Sequence, residues 1–528
     1  MKLYRSFVTV GGLTLVSRVL GFVRDILFAW AFGSGWVADA FNVAFRFPNL
    51  FRRLFGEGAF NSAFLPLFAK ELELNGREAA RKFAEEALAG LVFVLVILTV
   101  VCIVAMPWLM YGLAPGFKGD PNAPGKFDLA VLLSQITFPY LLCMSLVALF
   151  SGVLNAFGKF VESSSVSIVL NLVLALAIFV GFGLGYHNDP AGGIVQAIGV
   201  FVAGLLQLWL LIDGLRRNNF TLKLRRPRMT EGVRRLITLG IPGVIAGGVT
   251  QINIMIGTLI ASLQPGAVSQ LYYADRLYEL PLAIVGIAIG VVLLPDVSRK
   301  LRQGDHAAVM DSQNRSLEFA MLLTVPAAVA LAVIPVPIVK VLFERGAFTA
   351  LDTQQTASAL WIFALGLPSF VMIKVFSPAY FAREDTKTPM RYAALSLCAN
   401  TAGSIGLFFL FRHLGYLPQL GIALATTLGG WLNAGLLWST LVRRGHFQAD
   451  RRFMRSMVMI VLSSAVMAGV LWYCADVLSP WFAPGPSHVM HFGALGALVA
   501  AGGLAYGIMV LITGTLRLGQ LSRLAGRV

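Results

Sequence analysis

The chain has 528 residues, 57% of them hydrophobic and only 13% charged, with a formal net charge of +16. Soluble globular domains carry about 25% charged residues, so a string of soluble domains is excluded, and a mean hydropathy of +0.77 indicates a polytopic membrane protein. The cysteines, Cys102, Cys143, Cys398 and Cys474, lie in apolar runs, with neither metal-ligand spacing nor a secreted disulfide framework.

A spanning helix needs about 20 largely apolar residues. In chain order the candidates are 7–33, 36–56, 86–112, 128–156, 163–186, 192–214, 236–262, 268–296, 316–343, 354–382, 390–411, 419–442, 456–477 and 490–513. The expected fold is therefore all-α, with about 14 transmembrane helices. The first segment reads as an uncleaved span. Arg18 interrupts its apolar run, and Arg24 and Asp25 follow where a signal peptide would have a small-residue cleavage site. An even number of spans places both termini on one side. With that side cytoplasmic, cytoplasmic segments hold 32 of the 42 Lys and Arg residues. The outer loops hold four, Lys118, Lys126, Arg345 and Arg412, and six more fall within or near spans. This asymmetry predicts cytoplasmic termini. The most basic loop, 216–235, reads as an inside anchor, and no nucleic-acid site is expected there.

The sequence also repeats itself. Phe64-Leu65-Pro66 matches Leu293-Leu294-Pro295, and Asn171 and Trp209 match Asn400 and Trp438. Gly193-Ile194 matches Gly421-Ile422, and Arg46 matches Arg276, all at nearly one offset. The repeat predicts two homologous six-helix bundles, 1–214 and 236–442, joined by a basic cytoplasmic linker at 215–235. The spans within 456–513 have no repeat mate. Transporters built from parallel repeats hold substrate between the halves and alternate access.

Ionisable groups inside spans are expensive and face a cavity or a partner. The first span carries Ser17, Arg18, Arg24 and Asp25. Ser17 and Arg24 share a helix face, and so do Arg18 and Asp25. The second carries Asp39, Asn42, Arg46 and Asn49 and ends at Arg52-Arg53. In the eighth, Arg276 and Glu279 can meet at i, i+3. Asp25 and Asp39 are too few to neutralise Arg18, Arg24, Arg52 and Arg53, and surplus guanidinium charge suits an anion such as phosphate. No Gly-x-x-x-x-Gly-Lys-Ser/Thr loop occurs, and the six histidines are scattered. Glu344–Phe348 and Gly56–Phe60 look alike and read as loop-to-helix turns. Neither catalysis, cofactor nor metal is expected.

Ser17-Arg18-Val19-Leu20-Gly21-Phe22-Val23-Arg24-Asp25 resembles the first-helix signature of the MurJ (MviN) lipid II flippases. So do the run from Phe45-Arg46-Phe47-Pro48-Asn49-Leu50-Phe51-Arg52-Arg53 through Leu54-Phe55-Gly56-Glu57-Gly58-Ala59-Phe60, and Ala382-Arg383-Glu384-Asp385-Thr386-Lys387-Thr388-Pro389. The resemblance covers essentially the whole chain. It implies membership of the multidrug/oligosaccharidyl-lipid/polysaccharide exporter superfamily. The implied activity is flipping of the undecaprenyl-diphosphate-linked peptidoglycan precursor, lipid II, across the bacterial inner membrane by alternating access. It carries substrate contacts onto Arg18, Arg24, Arg52 and Arg276, and a needed carboxylate onto Asp39. Ser17, Asp25, Arg53 and Glu279 become gate or supporting positions, and the last two spans a groove for the lipid tail. The sodium-site acids of some relatives find no match in spans seven and eleven. The expected partners are lipid II and membrane lipids, without nucleic acid, and a monomer is expected. The alternatives are a flippase for another polyprenyl-linked oligosaccharide and a cation-coupled drug exporter, which would want acidic rather than basic cavity residues.

Overall fold

The computed structural model describes residues 2–51, 59–483 and 487–515. Among them the chain is all-helical. The helices are α1 (Lys2–Phe32), α2 (Trp36–Phe51), α3 (Ala59–Leu113), α4 (Lys126–Thr137), α5 (Tyr140–Ala156), α6 (Val161–Gly183), α7 (Pro190–Arg217) and α8 (Glu231–Ser262). There follow α9 (Ala267–Arg302), α10 (His306–Val333), α11 (Pro335–Phe343), α12 (Ala350–Phe381), α13 (Lys387–His413), α14 (Gln419–Arg443), α15 (Arg451–Val477) and α16 (His488–Ile512). Inside a bilayer a helix satisfies its own backbone hydrogen bonds, so apolar runs of this length fold this way.

Ten helical segments, with α4 and α5 counted together, are long and apolar enough to cross a membrane. The protein is a multi-pass membrane protein. The other four predicted spans coincide with α1, α2, α8 and α9, which do not meet that criterion over their described residues.

Contacts divide the chain into two compact units: residues 1–269 with 345–348, and residues 270–344 with 349–528. The division by repeat fell at 215–235. In the structure α8 packs along α3 and so belongs to the first unit.

In the first unit α1 packs on α6, α6 and α5 on α7, and α3 on α5 and α8. Apolar association in lipid depends on close backbone approach at small residues. A Cβ added to Gly199 of α7 would lie 2.8 Å from the Ala177 Cβ of α6. Gly76 splits α3 with φ 77, a conformation that favours glycine. Beyond the split, Phe93, Ile97, Val101, Val104 and Trp108 are exposed at helical spacing and form an outward apolar stripe.

The basic segment after α7 is strapped to α3. Buried Glu85 accepts the Lys223 backbone N–H at 3.0 Å and the Arg225 guanidinium. Glu86 accepts the Thr230 hydroxyl at 2.8 Å, and Arg77 donates to the Asn218 carbonyl at 3.2 Å. The predicted turn at 344–348 is present. Gly346 takes φ +60, and the Ala347 N–H bonds the Trp30 carbonyl at 2.9 Å. A Cβ on Gly346 would lie 2.3 Å from that carbonyl, so no larger residue fits. The similar stretch at 56–60 lies largely outside the described residues.

In the second unit α12 is central. Two thirds of its membrane-length window is buried, against 11% for α13. It begins with a capping box between Thr349 and Asp352. The core joins Leu293 and Val297 of α9 to Leu317 and Met321 of α10, Val375 and Phe376 of α12, Leu437 of α14, and Phe453 and Ile460 of α15. The unrepeated pair α15–α16 packs on α10 and α11 through Met467, Leu471, Leu498, Ile334 and Val341. The Tyr506 hydroxyl donates to the Leu322 carbonyl at 2.7 Å.

Candidate functional site

The first unit holds two buried ionic assemblies. In α1, Arg24 and Asp25 are both buried. Arg24 Nη2 lies 2.6 Å from Asp25 Oδ1, and Nε lies 3.2 Å from the same oxygen. Arg24 Nη1 donates to Asn171 Oδ1 of α6 at 3.1 Å. The Asn171 amide in turn donates to the Ser17 carbonyl at 2.9 Å. A Cβ on Gly21 would come within 3.3 Å of that amide, so the glycine makes room for a side chain that bridges two turns of α1. Asn171 thus links the Arg24 side chain to the main chain of Ser17. The expected Arg18–Asp25 face is not used as a pair. Asp25 binds Arg24, while Arg18 is exposed and makes no ion pair among the described residues.

The second assembly is centred on Asp39 in the first turn of α2, which is fully buried. Its Oδ2 accepts from Lys126 Nζ and from the Gly266 N–H, each at 2.9 Å. Its Oδ1 accepts from the Ser269 N–H at 2.9 Å and the Ser269 hydroxyl at 2.8 Å. Four donors fill the capacity of a carboxylate, which is what a buried ion pair requires to offset its desolvation. Lys126 also lies 3.5 Å from Asp120 and 4.3 Å from the centre of the Phe117 ring. One polar stripe along α2 continues from Asp39. Asn42 donates to the Ser269 hydroxyl at 3.0 Å, and Arg46 Nη1 donates to the Thr258 hydroxyl at 2.7 Å.

One expectation is corrected here. Lys126 is not a loop charge but a buried residue that opens α4, and its partner is Asp39. Arg52 and Arg53 lie outside the described residues.

In the second unit the predicted i, i+3 pair is present. Arg276 Nη1 is 3.2 Å from Glu279 Oε2, and the Arg276 guanidinium stands 5.0 Å from the centre of the Tyr272 ring. Both side chains of the pair remain more than one third exposed, so the guanidinium keeps access to solvent or ligand. Lys340 lies 3.4 Å from Glu344.

A family model described as lipid II flippase MurJ matches residues 28–492. The chain belongs to the MurJ lipid II flippase family. A probable lipid II flippase MurJ of Rhizobium tropici is 46% identical over 525 residues, covering 99% of this chain and 96% of that protein. A lipid II flippase MurJ of Burkholderia cenocepacia is 35% identical over 481 residues, 90% of each chain. Among solved structures, a lipid II flippase MurJ in an inward closed conformation superposes with a TM-score of 0.77 at 25% identity, covering 96% of this chain and 98% of that one. An inward-facing multidrug MATE transporter shares the fold, with a TM-score of 0.66 at 14% identity over 81% of this chain and 95% of that one.

Within this MurJ-family chain, the residues the sequence reading missed are Lys126, Asn171 and Ser269. Asn171 had left a trace, because it repeats as Asn400. Lys126 had left none, since a lysine after Asn122-Ala123-Pro124-Gly125 reads as a loop residue.

Proposed function

We propose that this chain flips lipid II from the inner to the outer leaflet of the bacterial cytoplasmic membrane by alternating access. The observation that carries this reading is near full-length similarity to lipid II flippases, with 99% of the chain aligned to the Rhizobium tropici relative. The site chemistry agrees with it. Arg18 is exposed and makes no ion pair among the described residues, and Arg276, beside Glu279, remains more than one third exposed. Guanidinium groups suit the oxygens of a diphosphate.

In this reading Arg18, Arg24, Arg52 and Arg276 hold the head group, with Arg24 held in place by Asp25 and Asn171. Ser17, Asp25, Asp39, Arg53 and Glu279 support or gate the site. The repeat divides the transporter into two six-helix bundles, 1–214 and 236–442, and α15–α16 guide the polyprenyl tail. Against 32 Lys and Arg in the cytoplasmic segments, the outer loops keep three, Lys118, Arg345 and Arg412, once Lys126 is assigned to α4, a bias that favours cytoplasmic termini. The protein acts as a monomer on lipid II and surrounding lipids, with no role for nucleic acid.

Depletion of the protein in its own cells tests the function. The expected result is lipid II accumulating on the cytoplasmic face. Accumulation of a different polyprenyl-linked sugar, with lipid II turnover normal, would assign the other glycolipid instead.

A further inference from the structure

A cavity of about 290 Å³ opens where α10, α15 and the turn after α16 meet, far in sequence from the arginines discussed above. Glu318, Arg452, Arg455, Ser456, Thr513 and Thr515 supply its polar lining. Arg452, Arg455, Ser456 and Met459 fall at i, i+3, i+4 and i+7, so they share one face of the first turns of α15.

The cavity lining carries two guanidinium groups and one carboxylate. Glu318 is bound by the Arg315 guanidinium, which also binds Asp311 and Asp450. Glu318 accepts the Ser456 hydroxyl as well, at 2.6 Å. Arg452 approaches the same carboxylate only to 3.7 Å. Arg455 is exposed and has no ion-pair partner among the described residues. The Thr513 and Thr515 hydroxyls stand 2.9 Å apart. Thr513 donates to the Val510 carbonyl, so Thr515 is the donor to Thr513 and its oxygen lone pairs, not its proton, face outward. Two guanidinium groups facing one small polar cavity are a donor set suited to a phosphate.

The surroundings indicate where that phosphate comes from. α15 and α16 are both of membrane-crossing length and apolarity. The turns that line the cavity also expose Met454, Val458, Leu511 and Ile512. A polar cavity framed by outward apolar side chains at a helix end fits a head group whose acyl chains lie along the helices.

We propose that this cavity binds the phosphate of an anionic glycerophospholipid at the membrane surface. The proposal needs α15 and α16 to be membrane helices, but it does not rest on lipid II being the transported substrate.

The test uses the full-length protein in detergent, titrated separately with dihexanoyl phosphatidylglycerol, dihexanoyl phosphatidylcholine and inorganic phosphate. Binding is followed by calorimetry. Phosphatidylglycerol should bind saturably and more tightly than the other two. Loss of one charge-assisted contact is worth about a tenfold rise in Kd, so Arg455→Gln should show that rise. Arg452→Gln/Arg455→Gln should show a larger one. Arg455 makes no ion pair among the described residues, so its single variant should keep the wild-type unfolding midpoint without lipid and serves as the folding control. Equal phosphatidylglycerol affinity in wild type and Arg455→Gln would overturn the proposal. Inorganic phosphate binding as tightly as the lipid, with the same dependence on Arg455, would overturn the lipid source.

Discussion

A lysine and an aspartate, buried together, show how much of this protein depends on individual charges. Lys126 and Asp39 lie 2.9 Å apart with almost no exposure. Removing one member of such a pair leaves an uncompensated charge, worth about 3–5 kcal/mol, whereas replacing both can be nearly neutral. Lys126→Met and Asp39→Asn should therefore each lower the unfolding midpoint in detergent strongly. The double variant should recover more than half of the loss of either single one. Strictly additive losses would show that the two residues act separately. A second residue-scale expectation concerns His446, in the turn after α14 and outside the membrane spans. Burial, then the nearby Arg383 and Arg444, push its pKa below the usual histidine value. The folded state thus favours neutral imidazole, while the unfolded chain takes up a proton near pH 6.5. The contribution of His446 is complete above that pH and is lost as pH falls toward the lower folded value. His446→Gln should flatten the decline of the unfolding midpoint between pH 7 and pH 5. An unchanged slope would mean that His446 titrates normally.

At the scale of elements, apolar length carried most of the information. Each of the fourteen predicted spans coincides with a helix, or with a helix and its continuation as in α4–α5 and α10–α11. The reason is that a bilayer imposes one solution on a long apolar run. The Arg276–Glu279 pair was equally legible, because both partners lie on one helix at fixed spacing. Tertiary polar pairing was not. Nothing local to Lys126 points at Asp39, 87 residues earlier, and the strap of 218–230 onto Glu85 and Glu86 is likewise set by packing alone. Orientation belongs to this scale and can be read directly. In a background without the four native cysteines, Asn122→Cys and Ser487→Cys place thiols at exposed positions of two loops assigned to the outside. Arg226→Cys and Gln448→Cys do the same for two assigned to the cytoplasm. In intact cells with a permeable outer envelope, an impermeant maleimide should label the first two and spare the second two. The reverse pattern would invert the topology.

For the whole molecule the open matter is what drives a cycle in a chain with no nucleotide-binding loop. The cell interior is negative, and the proposed head group is an anion. Outward movement of negative charge is favoured by about 2.3 kcal/mol per elementary charge per 100 mV. The return step has the same source. Arg18 is exposed and makes no ion pair among the described residues, while Arg24 is paired with its neighbour Asp25. Once the anion has left, the surplus positive charge that Arg18 and Arg52 contribute is drawn toward the negative interior, which favours the inward-open state. One field then acts on both halves of the cycle with no coupling ion. The size of the effect scales with the share of the membrane field that falls across the moving charges. Collapsing the membrane potential while holding the pH gradient should stop outward flipping of lipid II in intact cells. Collapsing the pH gradient alone should leave most of it. Normal flipping at zero potential would rule this drive out and require an ion-coupled step instead.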